Sequence, residues 1–151
     1  MEKLQVFIVD SFAEQPFKGN PCGIVLYADE LRELHMKQIA QELNLAETAF
    51  VYHKKNGTYK VRYFTPTQEI DFCGHATLAV AWIMADNNIL LETNVGLISF
   101  EFEYVLNQID KIYMKQIEPK IKDFTGSLVE LFEIFNIKSQ DLDSRFPVKL
   151  V

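Results

Sequence analysis

Cysteine is scarce: Cys22 and Cys73 are the only two in 151 residues, far from any CxxC spacing. That excludes a zinc-binding cysteine cluster or a disulfide framework and makes reduced thiols the expectation. Positive charge is also short, with 15 Lys and Arg against 21 Asp and Glu, a net charge of −6 and no basic cluster. A nucleic-acid backbone or an anionic membrane surface would be repelled by that field. No apolar run reaches the about 20 residues that span a bilayer. Met1-Glu2-Lys3-Leu4-Gln5 begins a strand pattern rather than a signal peptide. The expected setting is the cytoplasm, with neither nucleic acid nor membrane as partner. Glycine is thinly spread, and no glycine loop follows a strand to cradle phosphates, so a nucleotide is not expected.

Apolar residues are plentiful by contrast. They make up 48% of the chain, with 12 Phe and 6 Tyr, so no long stretch is expected to be disordered. A chain of this length suits one domain and buries roughly 70% of its unfolded surface. The most informative stretch is Phe72-Cys73-Gly74-His75-Ala76-Thr77, followed at once by Leu78 to Met84, apolar on nearly every face. The pattern predicts a core helix buried all round, whose N-terminus opens inside the domain. Its unpaired first-turn N–H groups and dipole suit a carboxylate or phosphate, with Gly74 and Ala76 supplying N–H groups and His75 a further donor.

Strand and helix signals surround that segment. The run from Leu4 to Asp10 reads as a strand buried on both faces, Gly19-Asn20-Pro21 as a loop, and Gly23 to Tyr27 as a second strand. Asp29 is the expected N-cap of an amphipathic helix from Glu30 to Leu43, ended by Asn44. Thr48 to Tyr52 and Thr58 to Phe64 read as a hairpin through the Asn56-Gly57 turn, and Asp86-Asn87-Asn88 as a break. Strands are expected at Leu90 to Thr93, Leu97 to Leu106 and Ile109 to Lys115, then a helix from Ser127 to Phe135. Val148 to Val151 read as the start of a new strand. Strands before and after one apolar helix imply an α+β domain with a curved mixed sheet wrapped on that helix.

Several blocks in order resemble a known family. They are Val9-Asp10-Ser11-Phe12, Pro16-Phe17-Lys18-Gly19-Asn20-Pro21, Asn44-Leu45-Ala46-Glu47-Thr48-Ala49-Phe50-Val51, Arg62-Tyr63-Phe64-Thr65-Pro66 and Glu69-Ile70-Asp71-Phe72-Cys73-Gly74-His75-Ala76-Thr77. Together they resemble the PhzF-like isomerases of phenazine biosynthesis, relatives of diaminopimelate epimerase. The resemblance implies a diaminopimelate epimerase-like fold of two similar domains facing a catalytic cleft. On that reading residues 1–147 are the N-terminal domain and 148–151 begin the crossover to a second one.

By the same resemblance Glu47 is the general acid/base. A carboxyl flanked by Leu45, Ala46, Ala49 and Phe50 would have its charged form disfavoured. Read from the residues alone, Glu47 is better explained as a solvated loop carboxylate or a helix-end residue. His75 matches a substrate-pocket position, Gly74 and Ala76 belong to the same anion site, and Asn20 could orient the cleft loop. The implied chemistry is cofactor-independent and metal-free proton transfer on a small carboxylate-bearing molecule. Its alternative is a catalytically incomplete fragment or a binding module of the same fold. Two copies could also pair as a homodimer and supply both cleft walls. Asp71 could cap the central helix or pair with Arg62. Cys73 is expected to pack rather than react, and a Cys73–His75 pair is not expected because side chains two apart diverge around a helix start.

Overall fold

Residues 4–54, 58–86 and 88–150 are described by the computed structural model. The chain divides into two compact units, Met1–Ile117 and Glu118–Val151. Among the described residues the first unit holds eight strands and two α-helices: β1 (Val6–Ser11), β2 (Asn20–Val25), α1 (Glu33–Leu43), β3 (Thr48–His53), β4 (Tyr59–Phe64), β5 (Glu69–Ile70), α2 (Gly74–Met84), β6 (Leu90–Thr93), β7 (Gly96–Val105) and β8 (Gln108–Met114). The strands lie in the order β1-β2-β3-β4-β6-β7-β8, with β5 paired on β4. Pairs β2/β3 and β4/β6 are parallel and the others antiparallel, which makes the sheet mixed. The fold is therefore α+β, as expected. The Asn56-Gly57 turn lies outside the described residues, although His53 pairs with Tyr59 on either side of it.

Alternation along the strands builds two cores on opposite faces of one sheet. Cys22, Ile24, Ala49, Val51, Val61 and Tyr63 face α2, where Ala76, Ala79, Val80 and Ala81 complete the main core. Small residues on the helix let the sheet approach it closely. Val25, Phe50 and Phe64 point the other way and pack with Met36 and Ala40 of α1. α1 starts later than the sequence suggests. Asp29 does not cap it, because its Oδ1 instead accepts from the backbone N–H of His53 at 3.2 Å, and Arg32 is the N-cap. Asn44 does end α1, in the left-handed conformation at φ 49°, where Asn is better tolerated than most residues.

Two expectations of complete burial fail for one reason. β1 is an edge strand covered by α2 on one face only, so Phe7 and Val9 join the core while Ile8 is 65% exposed. α2 is likewise open on the side between β1 and β8, the two sheet edges, where Trp82 is 50% exposed. A groove of about 560 Å³ lies there, lined by Val9, Ser11, Leu78, Trp82 and Ile112 among others. The second unit pairs β9 (Lys122–Asp123) antiparallel with β10 (Lys149–Leu150) and contains α3 (Leu128–Phe135). The hydroxyl of Ser127 caps α3 by accepting from Glu130 N–H at 3.3 Å.

One buried polar chain ties α2 to the sheet. Thr77 Oγ1 donates to the Cys73 carbonyl at 2.6 Å, which leaves it to accept from the Tyr63 hydroxyl, also at 2.6 Å. Thr77→Val keeps the shape but orphans the Tyr63 O–H in the core, at an expected cost of about 1–3 kcal/mol. Adding Tyr63→Phe removes the orphan and should restore most of that loss in a chemical-denaturation double-mutant cycle. Additive losses would mean that the two hydroxyls are not coupled.

Candidate active site

Three chain segments converge at the N-terminal end of α2. The first is the link from Asn44 to β3, which carries Glu47. The Glu47 carbonyl accepts from Gly23 N–H at 3.0 Å, so the sheet ladder fixes the backbone that presents the carboxyl. The second is the start of α2, where His75 is the second helical residue. The third is the end of β1, where the Ser11 hydroxyl donates to the His75 carbonyl at 2.8 Å and holds that turn in place.

Glu47 and His75, 28 residues apart in the chain, meet here. Glu47 Oε2 lies 3.4 Å from His75 Nε2, and their side chains are 21% and 9% exposed. Both atoms are buried, and neither has an aligned hydrogen-bond partner among the described residues. Buried polar atoms without partners are costly and uncommon, so a facing pair of them leaves hydrogen-bonding capacity for a ligand. No side chain makes a capping hydrogen bond to the first turn of α2, so the N–H groups of Gly74, His75 and Ala76 stand at the same place, those of His75 and Ala76 beside the Cys73 sulfur. A Cβ built on Gly74 would meet nothing closer than 3.8 Å, so packing does not demand glycine there. Asn20 is less central. It is exposed, opens β2 opposite Ser11, and so stands one strand pairing away from His75.

Cys73 departs from expectation. Its Sγ lies 3.2 Å from His75 Nδ1. The rule that side chains two apart diverge holds within a helix, whereas Cys73 is the N-cap, extended at φ −142°, and its side chain reaches over the first turn. Burial raises its thiol pKa. The Ala76 backbone N–H opposes that rise and the Glu47 charge adds to it, so the thiolate expected of an exposed helix N-terminus is disfavoured. Cys22 beneath it is also buried, and its thiol is pushed up to about 12, chiefly by desolvation. Both thiols are free.

Glu47, Cys73 and His75 place one donor atom each within 4.8 Å of one another, close enough to be drawn onto one metal ion. Binding there would have to deprotonate a thiol that its surroundings keep neutral. Asp71 plays neither role expected of it. It accepts from Asn94 Nδ2 at 3.4 Å, while Arg62 makes a two-pronged pair with Glu69 at 2.7 and 2.6 Å and reaches Glu33 at 3.0 Å. Glu69 pairs with Phe64, which shares a face of β4 with Arg62, and so reaches the guanidinium diagonally, whereas Asp71 lies past the end of β5. Ser11 has no signal in the sequence beyond its place in the Val9-Asp10-Ser11-Phe12 block.

Residues 9–151 match the family model described as PhzC-PhzF, phenazine biosynthesis-like protein. A trans-2,3-dihydro-3-hydroxyanthranilate isomerase of Pseudomonas chlororaphis is 37% identical over 95% of this chain and 51% of its own length. The crystal structure of a Bacillus anthracis phenazine biosynthesis protein of the PhzF family superposes with a TM-score of 0.79, at 35% identity, over 99% of this chain and 52% of that one. A structure from Pseudomonas aeruginosa described as a predicted epimerase shares the fold at a TM-score of 0.73 and 20% identity, over 94% of this chain and 54% of that one. The chain thus spans about half the length of the curated relatives it matches end to end.

Proposed function

Because the chain belongs to the PhzC-PhzF family, we propose that it serves a cofactor-independent isomerase that moves a proton between carbon atoms of a small, carboxylate-bearing substrate. The observation that carries this reading is the pair of buried, unpartnered atoms, Glu47 Oε2 and His75 Nε2, 3.4 Å apart beside the uncapped start of α2. In this reading the Glu47 carboxylate takes the proton from carbon. The electron pair left behind delocalises toward the substrate carboxylate, which the first-turn N–H groups of Gly74, His75 and Ala76 hold. The Glu47 acid then returns the proton at another carbon. Asn20, exposed at the start of β2 opposite Ser11, orients the loop beside the substrate. A second copy of the chain, or further chain as in relatives about twice as long, would supply the facing wall of the cleft.

The test is deuterium uptake from D₂O into trans-2,3-dihydro-3-hydroxyanthranilate, the compound named for the Pseudomonas chlororaphis relative, followed by proton NMR with this chain as catalyst. Uptake above the buffer rate supports the reading. Binding without uptake favours a binding module of the same fold, a second reading suggested by the half-length match. Neither binding nor uptake removes this substrate class.

A further inference from the structure

The thiol of Cys73 has no part in the proton transfer proposed above, yet it touches the histidine at the centre of the site. Sγ approaches Nδ1, the ring nitrogen opposite the one that faces Glu47. We propose that Cys73 is a positioning residue whose S–H donates to Nδ1 of His75, fixing the imidazole as its Nε2–H tautomer with that N–H at the edge of the ring nearer Glu47, where a substrate oxygen can accept it. The inference rests on the functional reading above for its purpose, though its geometry does not.

Each end of the ring calls for the same arrangement. In a neutral imidazole one nitrogen donates and the other accepts, and the partner of one decides the role of the other. At the Nδ1 end stands a thiol whose Sγ lies 3.2 Å from the ring nitrogen, a weak donor with a hydrogen to give. At the Nε2 end stands a carboxylate, which can only accept. The opposite tautomer would turn an N–H on a weak sulfur acceptor and set the Nε2 lone pair against carboxylate lone pairs at 3.4 Å. The Ser11 hydroxyl on the His75 carbonyl steadies the backbone while the thiol steadies the ring. What remains is a buried Nε2–H with no aligned partner among the described residues, ready for a ligand oxygen.

The test uses the full chain labelled with ¹⁵N-histidine and long-range ¹H–¹⁵N correlation of the rings at mildly alkaline pH. His35 provides an internal contrast, because its Nε2 accepts from the Arg32 guanidinium at 3.1 Å and the proton must therefore sit on Nδ1. His75 should give the opposite pattern, a protonated Nε2 and an unprotonated Nδ1 shifted upfield by the bond it accepts. Cys73→Ala should move that Nδ1 signal downfield, and Cys73→Ser, whose hydroxyl can donate in the same place, should return most of the shift. In the exchange assay Cys73→Ala should lower kcat by roughly ten- to a hundredfold with little change in KM, by analogy with the loss of the partner that orients a metal-bound histidine. Cys73→Ser should recover it. A packing role predicts the reverse order, since a hydroxyl suits a core position less well than a methyl group. A protonated Nδ1 on His75 in the unaltered chain overturns the proposal, as does an Nδ1 shift that Cys73→Ala leaves in place. The spectrum of the unaltered chain decides even if the alanine variant fails to fold. Because the spectra need no turnover, failure of this inference is separable from failure of the isomerase reading.

Discussion

Glu47→Gln should lower deuterium uptake by about 10²–10⁴-fold, the usual contribution of a positioned acid/base, while the thermal midpoint stays nearly unchanged. The two halves of this expectation have different causes. Gln matches the shape of Glu but cannot take a proton from carbon, so the chemical step is lost. Stability should hold because Oε2 has no hydrogen-bond partner for the substitution to break, and the backbone of residue 47 is held through its carbonyl by Gly23 N–H. Replacing the carboxylate also removes a negative charge that opposes ionisation of Cys73 and Cys22. Uptake and circular-dichroism melting measured on one preparation separate the halves. Equal uptake in both proteins would remove Glu47 from the mechanism, whereas a large fall in the midpoint would mean that the carboxylate is structural.

Gly19→Ala should be among the most damaging single methyl additions to the chain. A Cβ at this position would lie 2.3 Å from the Ser11 carbonyl oxygen and 2.9 Å from Ala13 Cβ. The first contact is with backbone, so no side-chain rotation relieves it. The end of the β1–β2 ladder, where Ser11 pairs with Asn20, would have to open. We expect a loss of about 3 kcal/mol, the upper part of the overpacking range, and a fall in thermal midpoint of roughly 6–12 °C. Opening that ladder also withdraws the Ser11 hydroxyl from the His75 carbonyl, so uptake should fall even where the protein is still folded. Gly74→Ala is the steric control, because its Cβ would meet nothing within 3.4 Å and folding stability should change by less than about 0.5 kcal/mol. An unchanged midpoint in Gly19→Ala would mean that the β1–β2 connection yields without disturbing the sheet.

Much of this architecture is written in local chemistry, and the failures share a pattern. The central helix, the Asn44 stop, the Ser127 cap and the strand Leu90–Thr93 follow from side-chain periodicity and capping residues a few positions apart. Periodicity cannot say which strand lies at an edge, so β1 was expected to be covered twice and α2 to be enclosed. Both are open because the sheet has two free edges there. In the site, Glu47, His75 and the helix start were legible through their motif blocks, and the structure brings them together. The contacts of Ser11 and Cys73 were not. The Ser11 bond joins residues 64 apart in the chain, and the Cys73 contact depends on a cap conformation that spacing does not encode. Asp29 and Asp71 failed for a similar reason, since each bonds a group brought near only by tertiary folding.

The link between α1 and β3 has a consequence for how this protein can change over evolutionary time. Only Leu45, Ala46 and Glu47 separate the left-handed Asn44 from a strand buried on both faces. Both ends are immovable, and side chains of β3 alternate between two packed cores. An inserted or deleted codon here could not be absorbed as slack. It would either rotate Glu47 away from His75 or shift every residue of β3 into the wrong core. Lineages of this fold should therefore tolerate length variation at the β7–β8 hairpin, where Leu106 is exposed, and show a fixed count of residues at this junction. The chain length between Asn44 and Thr48 acts as a ruler that sets Glu47 against His75.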